Sequence, residues 1–185
     1  MSGHSKWAQI KRGKAVTDAA RSRVFSRFAR VITLESKKAA GSTSAPGLAA
    51  AITRAKAANM PRENIERAVA KWVSKDSGDL EQVTYEFYGP GGVAFITDAL
   101  TDNKNRTTQE LKHLISKNGF ELGVPGSAAW AFKKVGGTFV PNEPLIEISG
   151  DEEKALGDIL SELDEHDDIQ TIFTNARGYE NTESE

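Results

Sequence analysis

The chain has 185 residues, of which 38% are hydrophobic and 27% are charged. This composition is ordinary for a globular protein and excludes wholesale disorder. There is no cysteine, which excludes disulfide bonds and thiolate metal sites. No stretch approaches the roughly 20 apolar residues that a transmembrane helix needs, and no hydrophobic secretory signal follows the early lysines. We therefore expect a cytoplasmic protein that does not interact with a membrane.

The formal net charge of −2 conceals a strong asymmetry along the chain. Residues 1–75 contain 16 Lys and Arg against 4 Asp and Glu, whereas residues 76–185 contain 8 against 22. Such an excess of positive charge in 75 residues is more than solubility requires, and it is typical of a module that binds a polyanion. The alternative is that both parts carry solvated charge and simply attract each other.

The basic part of the chain predicts an N-terminal arm followed by three helices. The arm, residues 1–16, is polar and basic. A first helix is expected from about residue 17 to residue 40, ending at Gly41, and a second from Pro46 to about residue 58. Pro61 opens a third helix, in which the apolar residues follow the 3.6-residue period: Ile65, Ala68, Val69 and Trp72.

From residue 79 the pattern changes to strands that alternate with amphipathic helices. Alternation of apolar and polar residues predicts strands at 83–87, 93–99, 128–133, 138–140, 145–148 and 169–173. Two capping boxes, Thr107-x-x-Glu110 and Ser149-x-x-Glu152, predict where the two intervening helices begin.

These elements predict an α+β protein, with an N-terminal three-helix domain followed by a ferredoxin-like α/β sandwich of two strand–helix–strand units. The expected domains are a basic nucleic-acid-binding domain at residues 1–78 and an acidic α/β domain at residues 79–178. The polar residues 179–185 are expected to form a disordered tail.

Apolar residues and cations of the first helix fall on opposite faces when they are projected at 100° per residue. One arc is expected to face the core: Val24, Phe25, Phe28, Val31 and Ile32. The opposite arc is expected to face solvent: Arg23, Arg27, Arg30 and Lys37, with Lys38 at its edge. Guanidinium groups match phosphate oxygens two at a time, so this arc is a candidate for phosphate contacts. The alternative is a merely solvated basic face.

The N-terminal arm adds further cations around one aromatic side chain. Trp7 could stack on a base or a ribose, or it could be a core anchor that holds the arm in place. The predicted nucleic-acid-binding residues are Lys6, Trp7, Lys11, Arg12, Lys14, Arg21, Arg23, Arg27, Arg30, Lys37 and Lys38, with Lys104 and Arg106 as secondary candidates.

Signals of catalysis are weak. His4, His113 and His166 are far apart in the sequence, and no metal-ligand spacing, nucleophile signature or dinucleotide fingerprint is found. The glycine-rich residues 89–92 could cradle a phosphate, but between two predicted strands a hairpin turn is the better explanation. The acidic residues 162–168 are better explained as a solvated helix exit than as a cation site. We predict no enzymatic activity, no cofactor and no metal.

Several motifs resemble one known family, in order along nearly the whole chain. They are residues 3–7 (GHSKW), 59–61 (NMP), 64–68 (NIERA), 88–94 (YGPGGVA), 99–107 (ALTDNKNRT) and 116–119 (SKNG), and the opening also matches at Ile10, Lys11, Lys14, Asp18 and Arg21. On these motifs the chain resembles the YebC/PmpR family of probable transcriptional regulators, which is related to mitochondrial translational activators. The resemblance implies a helical first domain, an α/β core, and regulation of gene expression through DNA or through activation of translation.

The chain departs from the family pattern after residue 132. Family members usually carry a further α/β domain after the stretch that matches Trp130-Ala131-Phe132, whereas here residues 135–140 run almost directly into residues 145–148. We therefore predict a shortened member that lacks the inserted third domain. Because the family pattern begins at Gly3, the basic N-terminus is interpreted as part of the domain and not as a mitochondrial transit peptide.

Several functions are compatible with these observations. The first is a DNA-binding transcriptional regulator, and the second is a ribosome-associated translation factor that contacts ribosomal or messenger RNA. The third is an adaptor whose basic face binds an acidic protein. An enzyme that uses residues 89–92 has the least support, because no acid–base constellation accompanies that turn.

Overall fold

The computed structural model describes Lys6, residues 17–73 and residues 79–181, with only the backbone described at Trp72. Contacts between residues divide the chain into two compact units. The helical unit comprises Thr17–Glu81 together with Leu100–Asn103. The α+β unit comprises residues 82–99 and 104–181, with Lys6. Within these described parts of the chain, no helix is long and apolar enough to cross a membrane.

The helices of the helical unit lie close to their predicted positions. They are α1 (Asp18–Lys38), α2 (Pro46–Ala57) and α3 (Arg62–Ala70), and a short 3₁₀ turn follows at Lys71–Val73. Thr17 caps α1, because its Oγ1 accepts a hydrogen bond from the backbone N–H of Ala20 at 3.2 Å. After α1, Gly41 adopts a φ of 79° and its N–H donates to the carbonyl of Ser36, which is a common way to end a helix.

Polar side chains of α1 take part in the core of the helical unit. Three α1 residues are buried: Ile32, Thr33 and Ser36. Thr33 Oγ1 donates to the carbonyl of Ala68 at 3.2 Å, and Ser36 Oγ donates to the carbonyl of Val69 at 2.8 Å. Both carbonyls lie in the last turn of α3, where the α-helix no longer supplies every amide partner. The two hydroxyl groups therefore help to terminate α3 as well as to pack against it.

The burial predicted for the apolar arc of α1 is wrong at its N-terminal end. Val24 is 38% exposed, although it was expected in the core. Phe25, Phe28 and Val31 are only partly buried against the core cluster. The reason is that the buried arc is rotated toward Thr33 and Ser36, which a hydrophobicity pattern assigns to the solvent side.

A three-stranded sheet forms the centre of the α+β unit. Its order is β1 (Glu81–Tyr88), β2 (Ala94–Thr101) and β5 (Ile169–Thr174). β2 and β5 are antiparallel, with a register shift between Asp98 and Ala99. A separate antiparallel ribbon is formed by β3 (Phe132–Val135) and β4 (Thr138–Pro141).

Both faces of the sheet are covered by apolar side chains. On one face, the buried cluster joins α4 (Lys104–Lys117) and α5 (Gly150–Glu165) to the strands. At its centre the rings of Phe87 and Phe95 stack with centroids 4.3 Å apart. A second cluster includes Ile96, Phe132 and Phe173. The predicted α+β class with N-terminal helices is confirmed.

Two of the predicted strands differ from the structure. Residues 145–148 do not form a strand, since only Ile146 pairs, in a single parallel bridge with Ala176. The second predicted strand–helix–strand unit therefore lacks its first strand. β3 begins at Phe132 and not at residue 128, because Ala129–Ala131 form a 3₁₀ turn.

Neither predicted capping box forms. α4 begins at Lys104, three residues before Thr107, whose buried hydroxyl donates to Asp168 Oδ2 at 2.6 Å. α5 begins at Gly150 as expected, but the side chain of Ser149 makes no capping hydrogen bond. The motif assigns the Thr107 hydroxyl to the start of α4, but this hydroxyl bonds instead to Asp168, which is distant in the sequence.

The chain beyond residue 178 is ordered further than expected. Tyr179 is only 3% exposed, and the N–H of Thr174 donates to the carbonyl of Glu180 at 3.1 Å. Asn181 forms an isolated bridge with Phe173. Residues 179–181 therefore pack against β5, and residues 182–185 lie outside the described part of the chain.

Candidate nucleic-acid interface

In the three-helix part of the helical unit, cations outnumber acidic residues. Residues 17–73 contain 11 Lys and Arg against 4 Asp and Glu. The exposed cations, which we call the basic set, are distributed over all three helices and the turn after α3: Arg21, Lys37, Lys38, Arg54, Lys56, Arg62, Arg67 and Lys71. Cations at this density attract phosphate groups whatever the base sequence.

Three members of the basic set were predicted from the sequence, and each has an acidic neighbour. Arg21 lies 3.7 Å from Asp18, Lys38 lies 2.7 Å from Glu35, and Lys37 bonds to Asp79. The hydrogen bond and the charge of Lys37 lower the pKa of Asp79. Exposed ion pairs of this kind contribute little to stability and can exchange partners, so they do not prevent phosphate binding.

The predicted arginine row is less accessible than expected. Arg23, Arg27 and Arg30 are half-buried. Arg30 Nη1 donates to the carbonyl of Leu100 at 3.0 Å, within the segment that groups with the helices. The three arginines are therefore not fully exposed to solvent, and Arg30 has a structural role.

The predicted residues of the N-terminal arm are largely outside the described residues: Trp7, Lys11, Arg12 and Lys14. Lys6 is described, and its Nζ lies 2.9 Å from Glu153 Oε1 in the α+β unit. Tyr179 Oη donates to the same oxygen at 2.9 Å. The hydrogen bonds from Lys6 and Tyr179 lower the pKa of Glu153. Burial, together with the hydrogen bond to Glu153, raises the pKa of Tyr179 to about 12.

The two secondary candidates differ from each other. Lys104 is exposed at the start of α4. Arg106 Nη2 lies 2.9 Å from Oδ2 of Asp168, whose side chain is only 2% exposed. A buried carboxylate needs a charged or hydrogen-bonding partner, and Arg106 supplies one together with Thr107. We therefore assign Arg106 a structural role.

One group of side chains in the described residues has the composition of a metal site: Glu110, His166 and Asp168. His166 Nε2 lies 3.1 Å from Glu110 Oε2, and the N–H of Asp168 donates to His166 Nδ1 at 3.2 Å. The accepting Nδ1 places the proton of a neutral imidazole on Nε2, where it can donate to Glu110. These hydrogen bonds, with those of Arg106 and Thr107, account for the group as a polar network that joins α4 to the start of β5.

In the glycine-rich turn at residues 89–92, backbone N–H groups donate hydrogen bonds to carbonyls of the turn itself. The N–H of Gly89 donates to the carbonyl of Val93 at 2.8 Å, and the N–H groups of Gly92 and Val93 donate to carbonyls within the turn. A phosphate cradle needs amides that point outward without partners. The turn is therefore a connection between β1 and β2, as the hairpin interpretation predicts.

Sequence reasoning missed a groove between α1 and α3. Its floor includes Phe25 and Met60, and its rim includes Asn64, Arg67 and Lys71. Arg67 and Lys71 are four residues apart, so they lie on one side of the third helix and its 3₁₀ extension. That spacing is the signal in the sequence that points to these two cations.

Two family models match the chain in succession. The model for the TACO1/YebC protein N-terminal domain matches residues 5–75, and the model for the TACO1/YebC second and third domain matches residues 80–143. The chain belongs to the TACO1/YebC family. The family resemblance inferred from the sequence motifs is confirmed.

Individual TACO1/YebC relatives agree with this assignment. A probable transcriptional regulatory protein of Dictyoglomus thermophilum is 44% identical over 86% of this chain and 64% of the relative. A probable transcriptional regulatory protein of Thermotoga maritima is 45% identical over 86% of this chain and 61% of the relative. The chain thus spans less than two thirds of these relatives' length. The crystal structure of a conserved hypothetical protein from Aquifex aeolicus matches with a TM-score of 0.81 and 29% identity, over 94% of this chain and 97% of that one.

Proposed function

We propose that this chain is a non-catalytic, cytoplasmic regulator of gene expression that binds duplex DNA through its helical unit. The observation that carries the proposal is the basic set, eight exposed cations on a unit whose residues 17–73 hold only 4 Asp and Glu. Such a set supplies the electrostatic, sequence-independent part of DNA affinity. The relatives from Dictyoglomus thermophilum and Thermotoga maritima are named probable transcriptional regulatory proteins, which supports a role in transcription.

Within the basic set, Arg21, Lys37 and Lys38 are the strongest candidates for phosphate contacts. They are exposed and lie at the two ends of α1. The partners of Arg21 and Lys37, Asp18 and Asp79, are also accessible to solvent, whereas Glu35 beside Lys38 is partly buried. Arg23, Arg27 and Arg30 rank below them because they are half-buried. The arm residues Lys6, Trp7, Lys11, Arg12 and Lys14 remain predicted contacts, as does Lys104.

The experiment is a fluorescence-anisotropy titration of duplex DNA at several salt concentrations. If about six cations engage phosphates, the slope of log K against log salt is expected to be roughly −5 to −6. The triple variant Arg21→Gln, Lys37→Gln and Lys38→Gln should flatten that slope by about 2 to 3 units. Its melting temperature should change little, because all three side chains are exposed.

The matched control removes three exposed lysines from the helices of the α+β unit: Lys112, Lys117 and Lys154, each replaced by Gln. The change in net charge is the same, but we expect the salt slope of the wild type. If the two triple variants flatten the salt slope equally, binding depends on the net charge of the protein and not on the basic set. A wild-type slope near zero would exclude phosphate contacts altogether.

Two experiments decide whether the bound polyanion is DNA or RNA. The first repeats the titration with RNA of the same sequence, and the second follows the protein in cell lysate by sedimentation through a sucrose gradient. Preference for DNA and sedimentation apart from ribosomes are the expected results. Preference for RNA with co-sedimentation on ribosomes would replace transcriptional regulation by a role in translation.

A further inference from the structure

The groove between α1 and α3, which we call the α1–α3 groove, has an apolar floor. Its floor is formed by Phe25 and Ala29 of α1 together with Met60 and Ala68. Met60 and Ala68 are only 6% and 3% exposed, so the core of the helical unit closes the groove from below. A ligand in this groove therefore contacts carbon atoms at its base as well as polar groups at its rim.

The rim of the α1–α3 groove carries both cations and neutral hydrogen-bond donors. Arg67 and Lys71 are exposed cations on the side of α3, where the half-buried Asn64 also lines the groove. Ser22 and Ser26 are exposed on the side of α1. The two serines are four residues apart, as are the two cations, so each side presents donors at two levels about 6 Å apart. All of these residue types are among those that contact phosphate oxygens of DNA.

Carboxylates lie near the α1–α3 groove, but cations outnumber them. The chain segments that form the groove, residues 18–29 and 60–71, contain six Lys and Arg against three Asp and Glu. Two of the three carboxylates already lie beside an arginine of their own helix, at 3.7 Å and 2.7 Å respectively: Asp18 with Arg21 and Glu66 with Arg62. The positive charge therefore prevails along the groove, which makes it complementary to an anionic ligand.

The third carboxylate, Glu63, leaves one rim cation available. Glu63 is exposed in the first turn of α3 and lies four residues before Arg67. Among the described residues, no ion pair joins Glu63 to Arg67. The Arg67 guanidinium can therefore bind an incoming phosphate with two N–H groups at once, without first giving up a carboxylate.

We propose that the α1–α3 groove holds the sugar–phosphate backbone of one strand of duplex DNA. The cations of α3 and the serines of α1 donate to the phosphate oxygens from opposite sides, and the deoxyribose carbons pack on the apolar floor. The backbone is the outermost part of a duplex, so it is the part that can enter a groove between two helices. This proposal rests on the proposed DNA-binding function and gives that function a defined location.

An acidic peptide is the other anionic polymer that fits the charge of the α1–α3 groove. The distribution of the basic set favours DNA, because its eight exposed cations extend over all three helices and not only along the groove. Such a distribution matches a long ligand of uniform charge density, of which the groove holds one strand.

The first experiment measures the salt dependence of duplex binding by the full-length protein, using fluorescence anisotropy. The double variant Arg67→Gln and Lys71→Gln is expected to flatten the slope of log K against log salt by about 2 units, since each lost phosphate contact removes about 0.9. The matched control is Arg54→Gln and Lys56→Gln, which also removes one exposed arginine and one exposed lysine, but from α2 and outside the groove. The control should keep the salt slope of the wild type.

The second experiment removes the neutral donors. Ser22→Ala with Ser26→Ala is expected to weaken duplex binding by about 2- to 10-fold for each hydrogen bond lost. The salt slope should stay unchanged, because a hydroxyl group releases no counterion. Alanine favours a helix and both serines are exposed, so thermal melts should show no loss of stability. Ser42→Ala with Ser44→Ala, in the exposed connection between α1 and α2, is the control and should bind like the wild type.

A third titration uses oligoglutamate with the same number of charges as the duplex, and the wild type should bind it more weakly than DNA. Equal affinity for oligoglutamate that is lost on substitution of Arg67 and Lys71 would assign the α1–α3 groove to an acidic protein and overturn the proposal. The proposal is also overturned if the groove variant and its α2 control flatten the slope equally, or if the variant without Ser22 and Ser26 hydroxyls binds DNA like the wild type.

These outcomes are distinct from failure of the proposed function. If substitution of Arg21, Lys37 and Lys38 flattens the salt slope while both groove variants behave like the wild type, the duplex interface stands and the groove is rejected. If the groove variants alone weaken binding, the groove is retained and the ends of α1 are rejected as phosphate contacts. A wild-type slope near zero rejects both.

Discussion

Replacing Glu86 with glutamine tests how the loop from residue 123 to residue 131 is held. Oε1 accepts one backbone N–H, from Gly126, and Oε2 accepts two, from Ala128 and Ala129. A glutamine amide has only one oxygen, so its NH₂ group must face at least one N–H donor. The favoured orientation puts the amide oxygen in the place of Oε2, which keeps the two bonds to Ala128 and Ala129 and loses the bond to Gly126.

The expected cost of Glu86→Gln follows from this count. One charge-assisted hydrogen bond is lost, the other two become neutral, and one donor faces another donor. The N–H of Gly126 is only partly buried and can turn toward water, which limits the penalty. We expect a loss of about 2 kcal/mol in the free energy of unfolding, because an unsatisfied buried donor costs about 1–3 kcal/mol. For a protein of this size the melting temperature should fall by about 4–8 °C.

Thermal melts followed by circular dichroism measure the global effect, and amide hydrogen exchange at residues 126–129 measures the local one. Glu121→Gln is the control, since Glu121 is an exposed carboxylate on the same connection between α4 and β3. Protection should fall most at Gly126 in Glu86→Gln and stay unchanged in the control. Identical melts and identical protection in both variants would refute the carboxylate as the anchor of the loop.

Two further predictions concern stability. Ile32→Ala should lower the free energy of unfolding by about 2–5 kcal/mol, because Ile32 is fully buried. Val24→Ala should lower it by less than about 1 kcal/mol, because Val24 is 38% exposed. Equal losses in urea unfolding would contradict the finding that the buried face of α1 is rotated away from Val24. The raised pKa of Tyr179, about 12 in the folded protein, means that the unfolded state loses this proton first as the pH rises, so stability should decline from about pH 10 upward. Urea midpoints measured between pH 8 and pH 11.5 should decline less in Tyr179→Phe than in the wild type, and parallel curves would contradict the assignment.

Local signals predicted most of the elements. Gly41 and Pro46 marked the end of α1 and the start of α2 because backbone restrictions at glycine and proline act within a few residues. Where a side chain has a partner far along the chain, local signals failed. Thr107 was assigned to a capping box, but its acceptor is Asp168, 61 residues away.

The candidate interface shows the same division. Composition alone located the positive charge, since the number of lysines and arginines before residue 76 does not depend on folding. Accessibility of these cations did depend on folding, because Arg30 bonds to a carbonyl 70 residues away and Lys37 to a carboxylate 42 residues away. Hydrophobicity would place Trp130 in a core, yet hydrogen bonds from its edge to Tyr88 hold it at the surface.

Composition, periodicity and short motifs are therefore enough to identify the family, the order of most helices and strands, and the sign of the charge on each part of the chain. Which polar groups are buried and which aromatic rings are exposed depends on the folded structure. Burial is set by contacts between residues distant in sequence, such as Thr33 with Ala68 and Glu86 with Ala128. A hydroxyl or carboxylate enters a core once a backbone partner is there to satisfy it.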